Sequence, residues 1–205
     1  EASGRPCRNL DPYLMEQAGL LGVYRRGSQD ADLCVVEGAM GLYDGLDLQG
    51  SGSTAVVARW LRAPIVLVVD SSRITRSAAA LVRGYQTFEP DTWVAGVIFN
   101  GVRGGRHAAK LREAVEHYCG IPVLGALPHD DTLSIPDRHL GLIPRAEDEG
   151  LLSRVERARE LIEAHCDVPA LLGLAQSAPP LELPAALGNS VQPAEASDRV
   201  RVGVV

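Results

Sequence analysis

Four short apolar runs constrain this chain more than any other feature of its sequence. They occupy residues 33–36, 65–70, 93–99 and 122–127. Each is too short for an ordinary helix, and the runs are rich in valine and isoleucine, which favours strands. Their ends are marked by Glu37, Asp70, Asn100-Gly101 and Pro128. Helical spacing fills the gaps: from Ser53 or Thr54 to Leu61, with Ala55, Val56 and Ala58 inward, then over 75–85 and over 107–118. Strand and helix alternating at this interval predict an α/β fold, a parallel sheet with flanking helices. Crossovers of one hand would bring every strand end to the same edge. Glu37, Asp70, Asn100 and Pro128 are expected along that rim, where open α/β sheets bind ligands. Asp70 reads either as a second acid on the metal side or as a cap on the turn that follows it, with the cap favoured.

The flanks are less regular. Asp11-Pro12 reads as a helix start, with Asp at the cap, Pro in the first turn and Leu14, Met15, Ala18 and Leu21 on an apolar face. Residues 147–165 read as an amphipathic helix with Leu151, Leu152, Val155, Ala158, Leu161 and Ile162 toward the core. From 167 to 198 the composition turns to Pro, Ala, Leu and Ser, which suggests an irregular linker. Residues 199–205 resume as a strand. The expected organisation is therefore a ligand-binding domain over 1–166, a linker over 167–198 and the first strand of another domain over 199–205. The chain begins with Glu1, so its true N-terminus is expected to lie upstream.

Composition excludes several classes. A chain of 205 residues supports one sizeable core. No apolar run approaches the roughly 18 residues of a membrane span, so no membrane partner is expected. The formal charge of -6 argues against a nucleic-acid surface. Cys7, Cys34, Cys119 and Cys166 lack metal-ligand spacing. They read as reduced structural thiols of a cytoplasmic protein, with Cys34 in the core of its strand. Lys110 is the one lysine, and no Gly-Lys-Ser or Gly-Lys-Thr phosphate loop occurs.

The first run opens the most informative stretch. Glu37 ends it, and Gly38, Gly41 and Gly45 punctuate the loop Val-Glu-Gly-Ala-Met-Gly-Leu-Tyr-Asp-Gly over 36–45. A carboxylate at a strand end beside glycines is a candidate Mg²⁺-nucleotide site. These residues closely resemble a signature of the cobyrinic acid a,c-diamide synthase family. Three further stretches match in family order: Gly-Arg-Pro-Cys-Arg-Asn-Leu-Asp-Pro-Tyr-Leu-Met over 4–15, Gly-Ser-Thr-Ala over 52–55 and Ile-Pro-Asp-Arg-His-Leu-Gly-Leu over 135–142. The resemblance runs from Gly4 to about Glu147.

The resemblance implies a P-loop NTPase fold like that of dethiobiotin synthetase, with the P-loop strand upstream of Glu1 and a glutamine-hydrolysing domain after Val205. It implies a carbon–nitrogen ligase of cobalamin biosynthesis that uses ATP, Mg²⁺ and glutamine, or ammonia from the missing domain. That enzyme would amidate the a and c acetates of a corrinoid carboxylate, cobyrinate or hydrogenobyrinate. On this reading Glu37 holds the metal; Gly38, Gly41 and Asn100 bind nucleotide; Arg5, Arg8, Tyr43, Asp44, Arg138 and His139 bind substrate. Arginine suits that role because its fork grips carboxylates bidentately. No catalytic nucleophile is expected within the chain, so the isolated 205 residues should be inactive. Association as a homodimer is compatible with this reading. Two alternatives stay open: the related nickel-sirohydrochlorin a,c-diamide synthase, and a non-enzymatic P-loop-type ATPase switch.

Overall fold

A computed structural model describes residues 5, 7–134 and 150–181. They fall into two compact units, one built on Leu61–Pro179 and the other on Pro6–Trp60.

The unit of residues 6–60 contains α1 (Gln17–Gly27), and α2 (Thr54–Leu61) begins within it. Helix α1 buries Leu20, Leu21 and Gly22 and ends with Arg25 and Arg26 in its last turn. Cations there suit the negative end of the helix dipole. Its start differs from the sequence expectation. Asp11 accepts from the amides of Tyr13 (2.8 Å) and Leu14 (3.3 Å), but this caps a single turn. Leu14 remains 74% exposed and the helix begins at Gln17. Helix α2 begins as expected at Thr54, with the Val56 amide donating to Ser53 Oγ at 3.4 Å. Its buried residues are Ala55, Val57 and Leu61, while Val56 and Ala58 are half-buried.

Residues 33–36, expected to be a buried strand, have no regular secondary structure and pair with no strand among the described residues. Val35 is 86% exposed, and Leu33 and Val36 are exposed as well. A strand exists only as part of a ladder; apolar β-branched sequence without a paired neighbour stays an open segment. Cys34 is accordingly exposed rather than in a core. Burial, with a hydrogen bond to Cys34 adding to it, pushes the Tyr24 hydroxyl up to about 12.

The unit of residues 61–179 carries the sheet. Strands β1 (Ile65–Asp70), β2 (Val94–Val102) and β3 (Val123–Pro128) are parallel and lie in the order β1-β2-β3. Helices α3 (Ser77–Phe88) and α4 (Gly105–Cys119) make the two crossovers and pack on each other. Phe99, Val97, Val82, Leu111 and Val115 are fully buried and form the core between sheet and helices. Strand β1 is not buried on both faces: Leu67 and Val69 are inside and Val68 is 68% exposed. Helix α5 (Leu151–His165) packs on β3 and buries Leu161.

The stretch read as linker from residue 167 starts instead with a helix, α6 (Val168–Gln176), which also contacts β3. The Asp167 carboxylate accepts from the Ala170 amide at 2.9 Å, and Pro169 lies in the first turn, where its missing N–H is not needed. The Asp167 amide donates to Leu124 O at 2.7 Å and ties the helix start to β3. Residues 182–205, which include the rest of the expected linker and the final strand, lie outside the described residues.

Candidate functional site

Two groups of residues carry the expected chemistry, and each belongs to one unit. In the unit of residues 6–60 the group is the glycine-punctuated loop before α2. Side chains and turns hold this loop, with no ladder. Asp44 Oδ2 accepts from the Gly41 amide at 3.0 Å, and the Asp44 amide donates back to Gly41 O at 3.2 Å. The Leu46 amide donates to Ser51 O at 2.8 Å. Asp47 accepts from Gln49 (3.1 Å) and Ser51 (3.0 Å), and these bonds, Ser51 first, hold its carboxyl below the usual range. The Ala55 amide donates to Leu42 O at 2.9 Å, joining the loop to the first turn of α2.

This arrangement explains why glycines stand where they do. A side chain on Gly41 would run into the Asp44 carboxylate, and one on Gly38 would meet Thr54 Cγ2 at 2.8 Å. At Gly45 a Cβ would lie 2.5 Å from the Gly50 carbonyl carbon and 2.6 Å from Ser51 O. The loop's own packing thus requires these glycines. Glu37 and Asp44 are exposed, and Tyr43 is half-buried. Arg8 is exposed and lies along Gly27, where a Cβ would meet its Cδ at 3.0 Å. Among the described residues no group of three or more His, Cys, Asp or Glu could form an all-protein metal cage. A single open carboxylate such as Glu37 suits Mg²⁺, which commonly takes one or two protein carboxylates together with phosphates and water.

The second group is the carboxyl edge of the sheet. Asp70 and Asn100 are register partners at the ends of β1 and β2, and Val102 pairs with Pro128 on β3. The expected rim therefore exists for these three strands. Asp70 caps its turn as expected: Oδ1 accepts from the Ser72 amide at 2.9 Å. That bond, with Arg73 and His129 nearby, holds the Asp70 carboxyl below its usual range. Asn100 is exposed but firmly placed. Its carbonyl accepts from both the amide and the Oγ of Ser71, each at 2.8 Å, and its Oδ1 accepts from the Gly101 amide at 3.0 Å. Ser71 is fully buried.

Sequence reasoning assigned nothing to Ser71, His107 or His129. His107 Nδ1 accepts from the Arg103 amide at 3.0 Å, and its Nε2 lies 2.7 Å from Ile74 O. The ring thereby joins the loop after β2 to the loop after β1. His129 follows β3 and lies 2.9 Å from Asp131 Oδ1 through Nε2. The neighbouring Asp130 accepts from the Thr132 amide (2.9 Å) and Arg157 Nε (2.8 Å), with Thr132 Oγ1 also bonded to it, and these bonds lower its carboxyl to about 2. Their signal in the sequence was position alone: Ser71 and His129 directly follow a strand end, and His107 comes five residues after one. Arg5 is exposed in its short N-terminal segment, and Arg138 and His139 lie outside the described residues.

A parallel sheet with polar groups gathered at its carboxyl edge and helices as crossovers is the frame of a nucleotide-binding α/β domain. The chain belongs to the AAA domain family, which it matches over residues 15–137. At full coverage of the chain it is 44% identical to the cobyrinate a,c-diamide synthase of Methanosarcina acetivorans, of which it spans 43%. It is 50% identical to the hydrogenobyrinate a,c-diamide synthase of Thermobifida fusca over 88% of the chain and 39% of that protein. It is 38% identical to the cobyrinate a,c-diamide synthase of Archaeoglobus fulgidus over the whole chain and 44% of that protein. The resemblance drawn from the four motifs is borne out, and the chain spans well under half the length of these relatives. No solved structure matches it significantly. No helix among the described residues is long and apolar enough to cross a membrane.

Proposed function

We propose that these 205 residues are the central part of an ATP-dependent, glutamine-hydrolysing ligase of cobalamin biosynthesis that amidates the a and c acetates of cobyrinate or hydrogenobyrinate. The observation that carries this reading is the 44% identity to a cobyrinate a,c-diamide synthase across the whole chain. The γ-phosphoryl group of ATP passes to a substrate carboxylate oxygen, leaving ADP and an acyl-phosphate. Ammonia released from glutamine then attacks the acyl carbon, and phosphate departs to leave the amide. Such a reaction depends on placing the reactants and neutralising charge more than on covalent help from the protein. Mg²⁺ would supply positive charge beside the nucleotide phosphates.

Each residue's task follows from its chemistry. The exposed Glu37 carboxylate holds the metal, and Gly38 and Gly41 let the loop backbone approach the nucleotide. Asn100, fixed by Ser71 at the strand end, recognises the base through its amide. Tyr43 and Asp44 line the substrate side, while Arg5, Arg8, Arg138 and His139 bind the substrate's carboxylates. The enzyme works in the cytoplasm and can act as a homodimer. The 205 residues alone contain no Gly-Lys-Ser or Gly-Lys-Thr sequence and do not turn over ATP on this reading. The test is Glu37→Gln in the intact enzyme, which keeps shape and removes the charge. Turnover at saturating Mg²⁺ should fall on the order of a hundredfold; unchanged turnover would remove Glu37 from the site.

A further inference from the structure

Apart from the two groups already described, α3 and the end of α4 enclose a cavity of about 510 Å³. Its lining is Arg76, Ser77, Ala79, Ala80, Arg83 and Tyr118. The volume is that of a small-molecule site. The charge of the lining runs against that of the chain. The protein carries a formal charge of -6, yet this cavity holds two arginines and no acid. Neither guanidinium has a carboxylate partner among the described residues. An adjoining cavity of about 460 Å³ shares Arg76 and Tyr118 but adds Lys110 and Glu113, whose charges offset each other. The two arginines of the first cavity have no such offset.

Arg76 is held ready. Its Cζ lies over the Tyr118 ring, 5.1 Å from the centroid, and its Nη2 donates to Tyr118 Oη at 2.9 Å. The His117 ring meets the Tyr118 ring edge-on at 4.6 Å. A guanidinium stacked in this way has already given up rotamer freedom, so a ligand need order less of it. Most of its five N–H donors stay open, since Tyr118 is their one partner among the described residues. Arg83 stands seven residues further on, two helical turns or about 10 Å along α3. Ala79 and Ala80 line the space between them with short side chains, and Ser77 adds a hydroxyl. Two forks at this separation suit an anion with two charged groups better than an anion with one. Phosphoryl groups fit them best, because each brings up to two charges and three acceptor oxygens to a fork that bonds them bidentately.

We propose that this cavity binds a small anion with at least two phosphoryl groups, with Arg76 and Arg83 each gripping one group and Tyr118 as the positioning residue that holds Arg76. None of these residues belongs to the nucleotide or corrinoid assignment, and the inference does not depend on that assignment.

The experiment uses the intact enzyme and inorganic pyrophosphate, with orthophosphate as the comparison. Calorimetric titration at about 0.15 M salt should give a Kd of about 1 mM or below for pyrophosphate, the range that two charge-assisted contacts reach, and weaker binding of orthophosphate. Phenylglyoxal labelling of arginines, read by peptide mass spectrometry, locates the site. Pyrophosphate should slow the labelling of Arg76 and Arg83 several-fold and leave Arg26 of α1 unchanged. Arg83→Ala should weaken pyrophosphate binding about tenfold, and Arg83→Glu should abolish the protection of Arg76. Tyr118→Leu, which frees Arg76 without changing the charge, should weaken binding less than Arg83→Ala, and Tyr118→Phe, which keeps the ring, should retain most of the affinity. These side chains are exposed, so the variants should fold, as circular dichroism will check. Labelling of Arg76 and Arg83 that pyrophosphate leaves untouched overturns the inference whatever the titration shows, because the anion then binds elsewhere. Unchanged affinity in Arg83→Ala, or equal affinity for orthophosphate and pyrophosphate, overturns it too. Tyr118→Leu binding as tightly as the parent would overturn the positioning role of Tyr118.

Discussion

The two groups of polar residues are held in place by different physics. Asp70 and Asn100 stand at the ends of paired strands, with Phe99 and Val97 fully buried just behind them. Their backbone is set by a ladder and a core, with Ser71 adding two bonds to the Asn100 carbonyl, and the amides of Ser72 and Gly101 only trim the side-chain directions of Asp70 and Asn100. The loop of residues 37–54 has no ladder. Its shape comes from short-range bonds, Asp44 to Gly41 and Asp47 to Gln49 and Ser51, and from glycines that let backbone segments touch. A frame of the first kind tolerates surface change and fails when its core is opened. One of the second kind fails locally, residue by residue, without the sheet noticing.

Opening the core is the strongest way to test that contrast. Phe99→Ala removes a fully buried aromatic ring and should cost about 3 to 5 kcal/mol in chemical denaturation. Hydrogen exchange should then quicken at Val97 and Val69 far more than at Ala55. Equal loss of protection in both places would break the comparison.

Gly45→Ala probes the other frame. Its methyl group would lie 2.5 Å from the Gly50 carbonyl carbon, and neighbouring backbone cannot yield as a side chain would. Overpacking of this kind costs about 1 to 3 kcal/mol. Faster exchange of the Leu46, Ser53 and Ala55 amides, with β1 to β3 unchanged, is the expected result. Quickened exchange across the sheet would mean that the loop is not a separately held element.

The smallest expected effect concerns acid. Asp130 is lowered to about 2 by Thr132 first and then Arg157. A carboxyl whose folded value lies below its unfolded value adds stability above the ordinary carboxylate range and loses it as pH falls toward about 2. The melting temperature should therefore drop between about pH 4 and pH 2, and Asp130→Asn should flatten part of that slope. The charge is near the surface, so the change should be modest. An identical slope in the variant would show that the Asp130–Arg157 tie does not help hold the loop after β3 to α5.

The capping pattern illustrates how far local sequence reaches. Asp11-Pro12 and Asp167-Val168-Pro169 present the same signal, an Asp followed by a proline suited to a first turn. At Asp167 the helix forms, because α6 packs on β3. At Asp11 the cap is made, yet only one turn follows; Leu14 stays exposed and the helix waits until Gln17. The cap is local chemistry, while the helix needs an apolar face to bury. Reading 167 onward as linker let the later prolines outweigh a start signal that was present.

By itself, the sequence determined the βαβ rhythm, the positions of β1, β2 and β3 within a few residues, and which residues lie at the carboxyl edge. Those follow from period, β-branching and connection length, all properties of neighbours along the chain. It also determined the family, because four motifs in order are a far longer match than any single glycine pattern. Tertiary structure alone decided that residues 33–36 are an open segment, since a strand requires a partner and partners are not local. It decided that Ser71 fixes Asn100 from 29 residues away, and that His107 joins two loops 33 residues apart. It also placed His129 at the same edge as Asp70 and Asn100, close enough to help lower the Asp70 carboxyl, by running β3 parallel to β2 in register. Hydrogen bonds between distant residues depend on where the sheet brings the chain, and no residue's own chemistry specifies that.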